Sequence, residues 1–157
     1  FIDNEDIETN VIDSVYPLGF IDSFKSFADI GTGAGYPGML LAIARPQIKC
    51  YLIEPRQKRV AFLNFVKNSL GLKNVVVVQD RVENCQDIEV DLVTSRAVTD
   101  TKFLIELTKN IVCDETSFLF YKGSLCEEEI ESSNIKENVK VFSVGDHRNY
   151  LYFKGEK

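Results

Sequence analysis

The sequence predicts a single α/β domain built on a seven-stranded, mostly parallel sheet with an antiparallel end strand. Short apolar runs alternate with segments of helical periodicity, which is the pattern of successive βαβ units. A turn with four glycines joins the first apolar run to a helical segment within residues 27–44. The last two apolar runs are separated only by a short polar turn at residues 145–149, so we expect their strands to pair antiparallel.

The individual elements follow from these patterns. Strands are expected at residues 27–30, 50–53, 75–78, 91–95, 117–121, 139–144 and 150–153. The four valines at residues 75–78 do not alternate with polar residues, which is typical of a strand covered on both faces. Helices are expected at residues 7–15, 38–44, 58–70, 101–112 and 127–132. In the helix at 58–70, Phe62 and Phe65 are expected to widen the core-facing stripe, and Gly71 provides a C-terminal stop.

The composition is that of a globular domain without a membrane span, a disulfide framework or a metal site. The chain has 157 residues, 45% of them hydrophobic and 27% charged, which is ordinary for one globular domain. No apolar run approaches the roughly 20 residues of a membrane span, and no signal pattern opens the chain, so we expect a cytoplasmic protein without a membrane partner. The four cysteines (Cys50, Cys85, Cys113 and Cys126) lie far apart, and His147 is the one histidine. We therefore expect free thiols and no metal site.

A glycine loop at residues 29–38, Asp-Ile-Gly-Thr-Gly-Ala-Gly-Tyr-Pro-Gly, predicts a nucleotide-cofactor site. Its glycines allow the backbone to approach a ligand closely, and the helix that follows is expected to offer free N–H groups to polar atoms. Glu54 ends the next apolar run, where its carboxylate can accept hydrogen bonds from a ribose diol.

The spacing within this loop distinguishes three cofactor classes. A dinucleotide fingerprint needs glycine at its sixth position, which is Tyr36 here, and a phosphate-binding P-loop needs lysine after its last glycine, where this chain has Met39. The remaining pattern, Gly-x-Gly-x-Gly shortly after Asp29, is similar to the S-adenosylmethionine loop of Rossmann-like methyltransferases.

Charge is unevenly distributed along a chain whose net charge is −6. Residues 45–73 contain seven basic residues and the single acid Glu54, whereas residues 114–137 contain seven acids and two lysines. A basic segment next to the cofactor loop could guide a phosphate backbone, although a solvated helix face explains the same charges equally well.

Several further segments resemble the glucose-inhibited division protein B family, the rRNA small subunit methyltransferase G enzymes. Besides the loop, the resemblance rests on residues 41–46 (LAIARP), 58–63 (KRVAFL), 70–74 (LGLKN), 80–83 (DRVE), 94–97 (TSRA) and 121–123 (YKG). It implies a Rossmann-like methyltransferase fold and S-adenosylmethionine-dependent methylation of guanine N7 in the 16S rRNA loop near the decoding site. Residues 1–157 are then expected to form one monomeric methyltransferase domain, acting on 16S rRNA or the small ribosomal subunit. The helical segment that precedes residue 7 in the family is expected to be largely missing.

The resemblance also implies roles for particular residues. The cofactor site would comprise Gly31, Gly33, Gly35, Tyr36, Glu54, Val82, Glu83 and Arg96. Arg96 would also face the transfer site as the catalytic residue. The RNA entry face would carry Lys58, Arg59, Lys122 and Arg148. The chain departs from the family at Asn10 and Asn149, where histidine is common, and at Glu54, where aspartate is more usual.

The chemistry is compatible with these residues. Guanine N7 has an in-plane lone pair and no proton, so its methylation requires positioning and electrostatics rather than a general base. We hypothesise that Arg96 contacts guanine O6, a phosphate or the cofactor carboxylate and leaves N7 free. Three alternatives stay open: an NAD(P)-dependent oxidoreductase, a regulatory domain that binds S-adenosylmethionine without turnover, and a methyltransferase for another RNA, a protein or a small molecule.

Overall fold

The structure is a computed structural model that describes residues 4–96, 100–123, 130, 139–144 and 148–155, with side chains from residue 7 onward. The helices in these residues are α1 (Asn4–Val15), α2 (Gly38–Ala44), α3 (Gln57–Leu70) and α4 (Thr101–Leu107). The strands are β1 (Ser26–Ile30), β2 (Lys49–Ile53), β3 (Val75–Val78), β4 (Leu92–Arg96), β5 (Ser117–Lys122), β6 (Lys140–Val144) and β7 (Arg148–Lys154). Short 3₁₀ turns occupy Tyr16–Gly19 and Val82–Asn84.

The predicted sheet is confirmed. Its strand order is β3-β2-β1-β4-β5-β7-β6. Strands β1 to β5 are parallel, whereas β7 runs antiparallel to both β5 and β6. The chain moves outward from β1 through β2 to β3, and then returns to the other side of β1 to form β4 and β5. The order therefore reverses between β1 and β4, which is where open α/β sheets bind their ligands.

An apolar layer covers each face of the sheet. On one face, Phe27 and Leu52 pack with Leu41 of α2 and Leu63 of α3. The other face forms a second cluster, in which the side chains of the sheet pack against Leu104 of α4. Consecutive strand residues alternate between these layers, so almost every position of the central strands is buried.

Helix α3 ends as predicted but faces the sheet differently. Gly71 caps it in the left-handed conformation, with φ of 64°. Of the residues of α3 only Val60 and Leu63 are buried, whereas Phe62 is 45% and Phe65 is 69% exposed. The expectation that both phenylalanines widen the core-facing stripe is wrong, because they project from the side of α3 that faces away from the sheet.

Helix α4 ends at Leu107, before the predicted residue 112. The hydroxyl of Thr108 donates to the carbonyls of Leu104 and Ile105, and the chain then turns so that the carbonyl of Ile111 accepts the N–H of Val90. This turn brings the buried side chain of Ile111 into the core, which a continuing helix would not allow. Of the predicted helix at 127–132, only residue 130 lies within the described residues, and it is helical and buried.

Replacing Gly38 by alanine is expected to destabilise the protein. An added Cβ would lie 2.5 Å from Leu52 Cδ2 and 2.6 Å from Asp29 Oδ2, and both neighbours are buried in the core. We expect Gly38→Ala to lower the free energy of unfolding by about 1–3 kcal/mol, measured by urea denaturation. Gly19→Ala is the matched control, because nothing lies within 4 Å of its added Cβ. Equal stability of the two variants would contradict the proposed close packing of α2 on β1 and β2.

Candidate active site

A cleft of about 520 Å³ opens at the carboxyl ends of the central parallel strands. It is lined by Gly31 after β1, Glu54 after β2, residues 80–83 after β3, and Arg96 at the end of β4. The structure thus brings together predicted cofactor residues from four separate parts of the chain. The cleft lies beside the point where the strand order reverses, as expected for a ligand site in this type of sheet.

The glycine loop adopts a backbone that ordinary residues avoid. Gly31, Gly33 and Gly35 have φ values of 63°, 57° and 100°. The N–H of Gly31 donates to the carbonyl of Ile53 at 2.9 Å, which holds the loop against the end of β2. The left-handed conformation at these positions is available to glycine at little cost, and it turns the chain sharply between β1 and α2.

Glu54 connects this loop to the start of α3. Its side chain is fully buried, and Oε1 accepts the N–H of Gly33 at 3.2 Å. The other oxygen, Oε2, accepts the backbone N–H of Arg56 at 3.0 Å and faces its Nε at 3.4 Å. A carboxylate has about four acceptor positions, so these contacts leave capacity for hydroxyl donors in the cleft.

The start of α2 is occupied by the protein's own groups. Asp29 Oδ2 accepts the N–H of Gly38 at 2.9 Å, and the carbonyl of Gly35 accepts the N–H of Met39 at 2.7 Å. Pro37 has no N–H to offer. The expectation that this helix start presents free N–H groups is therefore wrong at Gly38 and Met39. A buried carboxylate at this position also disfavours an anionic ligand.

The carboxyl group of Asp29 is completely buried, and its pKa is higher than that of an exposed aspartate. Burial raises its pKa from 3.8 to about 6, while hydrogen bonds from Thr94 and Gly38 and the positive charge of Arg96 act in the opposite direction. Thr94 Oγ1 donates to Asp29 Oδ1 at 2.8 Å, so the carboxyl joins β1, β4 and α2.

Arg96, which lines the cleft, approaches the ring of Tyr36. The guanidinium carbon of Arg96 lies 5.8 Å from the centre of the Tyr36 ring, within the range of a cation–π contact. Its Nη1 is buried and has no acceptor among the described residues. Buried donors are nearly always paired, so this atom is suited to an acceptor on a ligand.

The four residues predicted at the RNA entry face lie in two places. Lys58 and Arg59 are exposed in the first turn of α3. Lys122 is buried at the end of β5, with Nζ 5.9 Å from the ring centre of Phe120. Arg148 begins β7 beside it, and its Nε forms an ion pair with Asp13 at 2.6 Å.

Two positions where the family commonly has histidine have structural contacts here. Asn149 Oδ1 accepts a hydrogen bond from Ser143 Oγ at 2.6 Å, within the β6–β7 pair. The backbone carbonyl of Asn10 accepts the hydroxyl of Ser14 within α1. His147 lies outside the described residues.

Two arginines that line the cleft were not predicted from the sequence. Arg56 and Arg81 line its mouth, and their side chains are 67% and 72% exposed. Both occur just after an acidic residue at the end of a strand, in Glu54-Pro55-Arg56 and Asp80-Arg81, and this position could have identified them.

Among the described residues, no group of three or more His, Cys, Asp or Glu is arranged to hold a metal ion. None of the helices within the described ranges has the length and apolar character needed to cross a membrane.

The sheet topology, the glycine loop after β1 and the acid after β2 define the class of Rossmann-like methyltransferases. A solved structure of a SAM-dependent methyltransferase from Aquifex aeolicus matches with a TM-score of 0.69 at 20% identity, covering 97% of this chain and 93% of that chain. PigF with SAH matches with a TM-score of 0.75 at 14% identity, covering 96% of this chain and 57% of that one. Similarity at these identities establishes the fold.

The chain belongs to the GidB family of rRNA small subunit methyltransferase G, whose family model matches residues 3–149. The ribosomal RNA small subunit methyltransferase G of Aliarcobacter butzleri is 58% identical over 151 residues, which are 96% of this chain and 77% of that protein. The protein of the same name from Wolinella succinogenes is 44% identical, covering 97% of this chain and 77% of the relative. This membership confirms the family resemblance inferred from the sequence.

The raised pKa of Asp29 has a measurable effect on stability. Between pH 3.8 and about 6 the folded protein holds a proton on Asp29 that the unfolded chain has released, so the stability from this group falls as pH rises through that window. We expect the Asp29 carboxyl carbon to titrate near pH 6 by NMR, assigned with Asp29→Asn. The unfolding free energy of the wild type should also fall more steeply than that of Asp29→Asn across the window. A titration midpoint near 4 would contradict this assignment.

Proposed function

We propose that the protein transfers a methyl group from S-adenosylmethionine to N7 of a guanine in 16S rRNA. The family membership supports the rRNA substrate and the reaction type. The position of the methyl group is the more specific part of the proposal. We also propose that the chain forms one methyltransferase domain, and that this domain acts as a monomer in the cytoplasm on 16S rRNA or the small ribosomal subunit.

The observation that carries the choice of cofactor is the contrast between the two helix starts beside the cleft. At the start of α2, Asp29 and the Gly35 carbonyl occupy the N–H groups that a pyrophosphate would need. At the start of α3, Glu54 faces the cleft with acceptor capacity for a ribose diol. This combination suits an adenosine cofactor without phosphate groups, and it argues against NAD(P).

Five of the predicted cofactor residues line the cleft, namely Gly31, Glu54, Val82, Glu83 and Arg96, whereas Gly33, Gly35 and Tyr36 are not among its lining residues. Glu54 would bind the ribose hydroxyls, and Val82 with Glu83 would flank the adenine. The loop from Gly31 to Tyr36, including Gly33 and Gly35, would hold the methionine part. S-adenosylmethionine supplies an electrophilic methyl group on its sulfonium sulfur.

The protein's part in the reaction is to position the guanine. Because N7 carries a lone pair and no proton, no residue has to remove a proton before the methyl group is transferred. Arg96, with its buried and unpartnered Nη1, would bind guanine O6, a phosphate or the cofactor carboxylate. A donor held in place before the reaction stabilises charge without the cost of reorganising solvent.

The two groups of basic residues would contact the RNA from opposite sides of the cleft. Lys58 and Arg59 project into solvent from α3, next to the mouth of the cleft that Arg56 lines. Lys122 and Arg148 lie on the other side of Arg96, along neighbouring strands β5 and β7. Cations on both sides of a cleft can hold a phosphate backbone while a base enters between them.

Calorimetric titration of the chain with S-adenosylmethionine is expected to show saturable binding. A parallel titration with NAD is the negative control and is expected to show none. Glu54→Gln should weaken the binding of S-adenosylmethionine by about ten- to a hundredfold, because it removes a charged acceptor of the ribose. Glu54→Asp keeps the carboxylate and should bind more tightly than Glu54→Gln. Glu106→Gln, on the exposed surface of α4, is the matched control for loss of one negative charge. Binding of NAD alone would refute the cofactor proposal.

Arg96→Ala is expected to lower kcat for methyl transfer to small-subunit rRNA by about 10²–10³-fold, because it removes a preorganised donor. The product is detected by chain scission at 7-methylguanine after borohydride and aniline treatment. Arg45→Ala serves as the control, since Arg45 is exposed at the opposite end of α2. Unchanged cofactor affinity and unchanged turnover in Arg96→Ala would eliminate this role, and methylation without scission would place the methyl group on another atom.

A further inference from the structure

Helix α3 carries an aromatic stripe on its solvent side. With about 100° per residue, Lys58, Phe62, Phe65 and Ser69 fall within about 60° of one another. Phe62 is 45% and Phe65 is 69% exposed. Two large rings side by side on a surface helix are not needed to hold that helix on the sheet, and such a patch commonly marks an interaction site.

The charged side chains of α3 that border the stripe are both positive. Lys58 lies on the stripe and Arg59 lies beside it, and α3 contains no acidic residue, in a protein whose net charge is −6. Lys58 and Arg59 also lie in the first helical turn, where the helix dipole disfavours cations. Their position costs some stability, which is a reason to look for a ligand that requires them.

The stripe begins at the mouth of the cleft. Arg56, which lines the cleft, directly precedes α3, and the rise of about 1.5 Å per residue places Phe62 and Phe65 about 8 and 12 Å along the helix from Gln57. A strand whose target base enters the cleft can therefore pass over the stripe.

We propose that Phe62 and Phe65 form a stacking platform for unpaired bases of the RNA, next to the reacting guanine, while Lys58 and Arg59 contact the phosphates. This proposal rests on the proposed function. Exposed rings bordered by cations are the combination with which proteins bind single-stranded nucleic acid, because each base has a flat face and each nucleotide has a charge. Helix α3 has positive charges and no negative ones, which suits a polyanionic strand.

The test compares RNA affinities of ring variants by fluorescence anisotropy, using a labelled unpaired oligoribonucleotide and a fully paired duplex of the same length. The double variant Phe62→Ala/Phe65→Ala should bind the unpaired probe about ten- to a hundredfold more weakly, since stacking contributes about 1–3 kcal/mol per base. Its affinity for the duplex should change far less, because paired bases do not expose their faces.

Two further variants separate stacking from other effects. Phe65→Leu keeps an apolar side chain but loses the flat ring, so it should weaken binding of the unpaired probe. Leu70→Ala is the matched control on the same helix, because Leu70 is 56% exposed but lies at its far end, off the stripe. All of these variants should retain the wild-type affinity for S-adenosylmethionine, which shows that the fold is intact.

Each other outcome refutes the platform. Unchanged affinity of the double variant for the unpaired probe, while the wild type binds and methylates rRNA, removes the platform and leaves the proposed function standing. Full binding by Phe65→Leu, with loss only in the double variant Phe62→Ala/Phe65→Ala, indicates that an apolar side chain suffices and excludes stacking. A wild-type protein that binds S-adenosylmethionine but neither binds nor methylates rRNA overturns the proposed function and the platform together.

Discussion

The buried carboxyl of Asp29 is the interaction on which the cleft depends. It accepts hydrogen bonds from Gly38 at the start of α2 and from Thr94 in β4, and it belongs to β1 itself. These are the three elements that meet where the strand order reverses. Burying a carboxyl without water is costly, and the two hydrogen bonds offset part of that cost. The close approach of α2 to the sheet, and with it the path of the glycine loop, follows from this arrangement.

Asp29 and Glu54 show how two acids at neighbouring strands acquire different roles. Asp29 is enclosed by the protein, and burial raises its pKa to about 6. Glu54 is also buried, but both of its oxygens accept backbone N–H groups, from Gly33 and from Arg56. One acid therefore holds secondary structure together, whereas the other has acceptor positions left for a ligand in the cleft.

The sequence was sufficient to locate the seven strands along the chain and to predict the antiparallel pairing of the last two, because apolar runs, the glycine loop and the short final turn are local signals. Glu54 could be assigned to the cleft for the same reason, since it ends a strand, whereas the role of Arg96 was inferred from the family resemblance. Phe62 and Phe65 were misassigned because helical spacing shows which residues share a face, but not how much of that face the sheet can cover. The early end of α4 depends on Ile111 reaching Val90, a tertiary contact that no local pattern contains. Likewise, the contact between Asp29 and Gly38 cannot be inferred from the glycine spacing alone.

The position of β3 has a consequence for the behaviour of the protein in solution. In the described sheet, β3 is an outermost strand, and it consists of four consecutive valines paired on one side with β2. A strongly β-forming, uncharged strand with an open edge is a template for edge-to-edge association between molecules. Helix α3 packs beside β3, with Lys67 in its last turn and Lys73 just before the strand. Charged residues that flank an apolar edge strand disfavour its pairing with other molecules, so we expect these lysines to oppose such association.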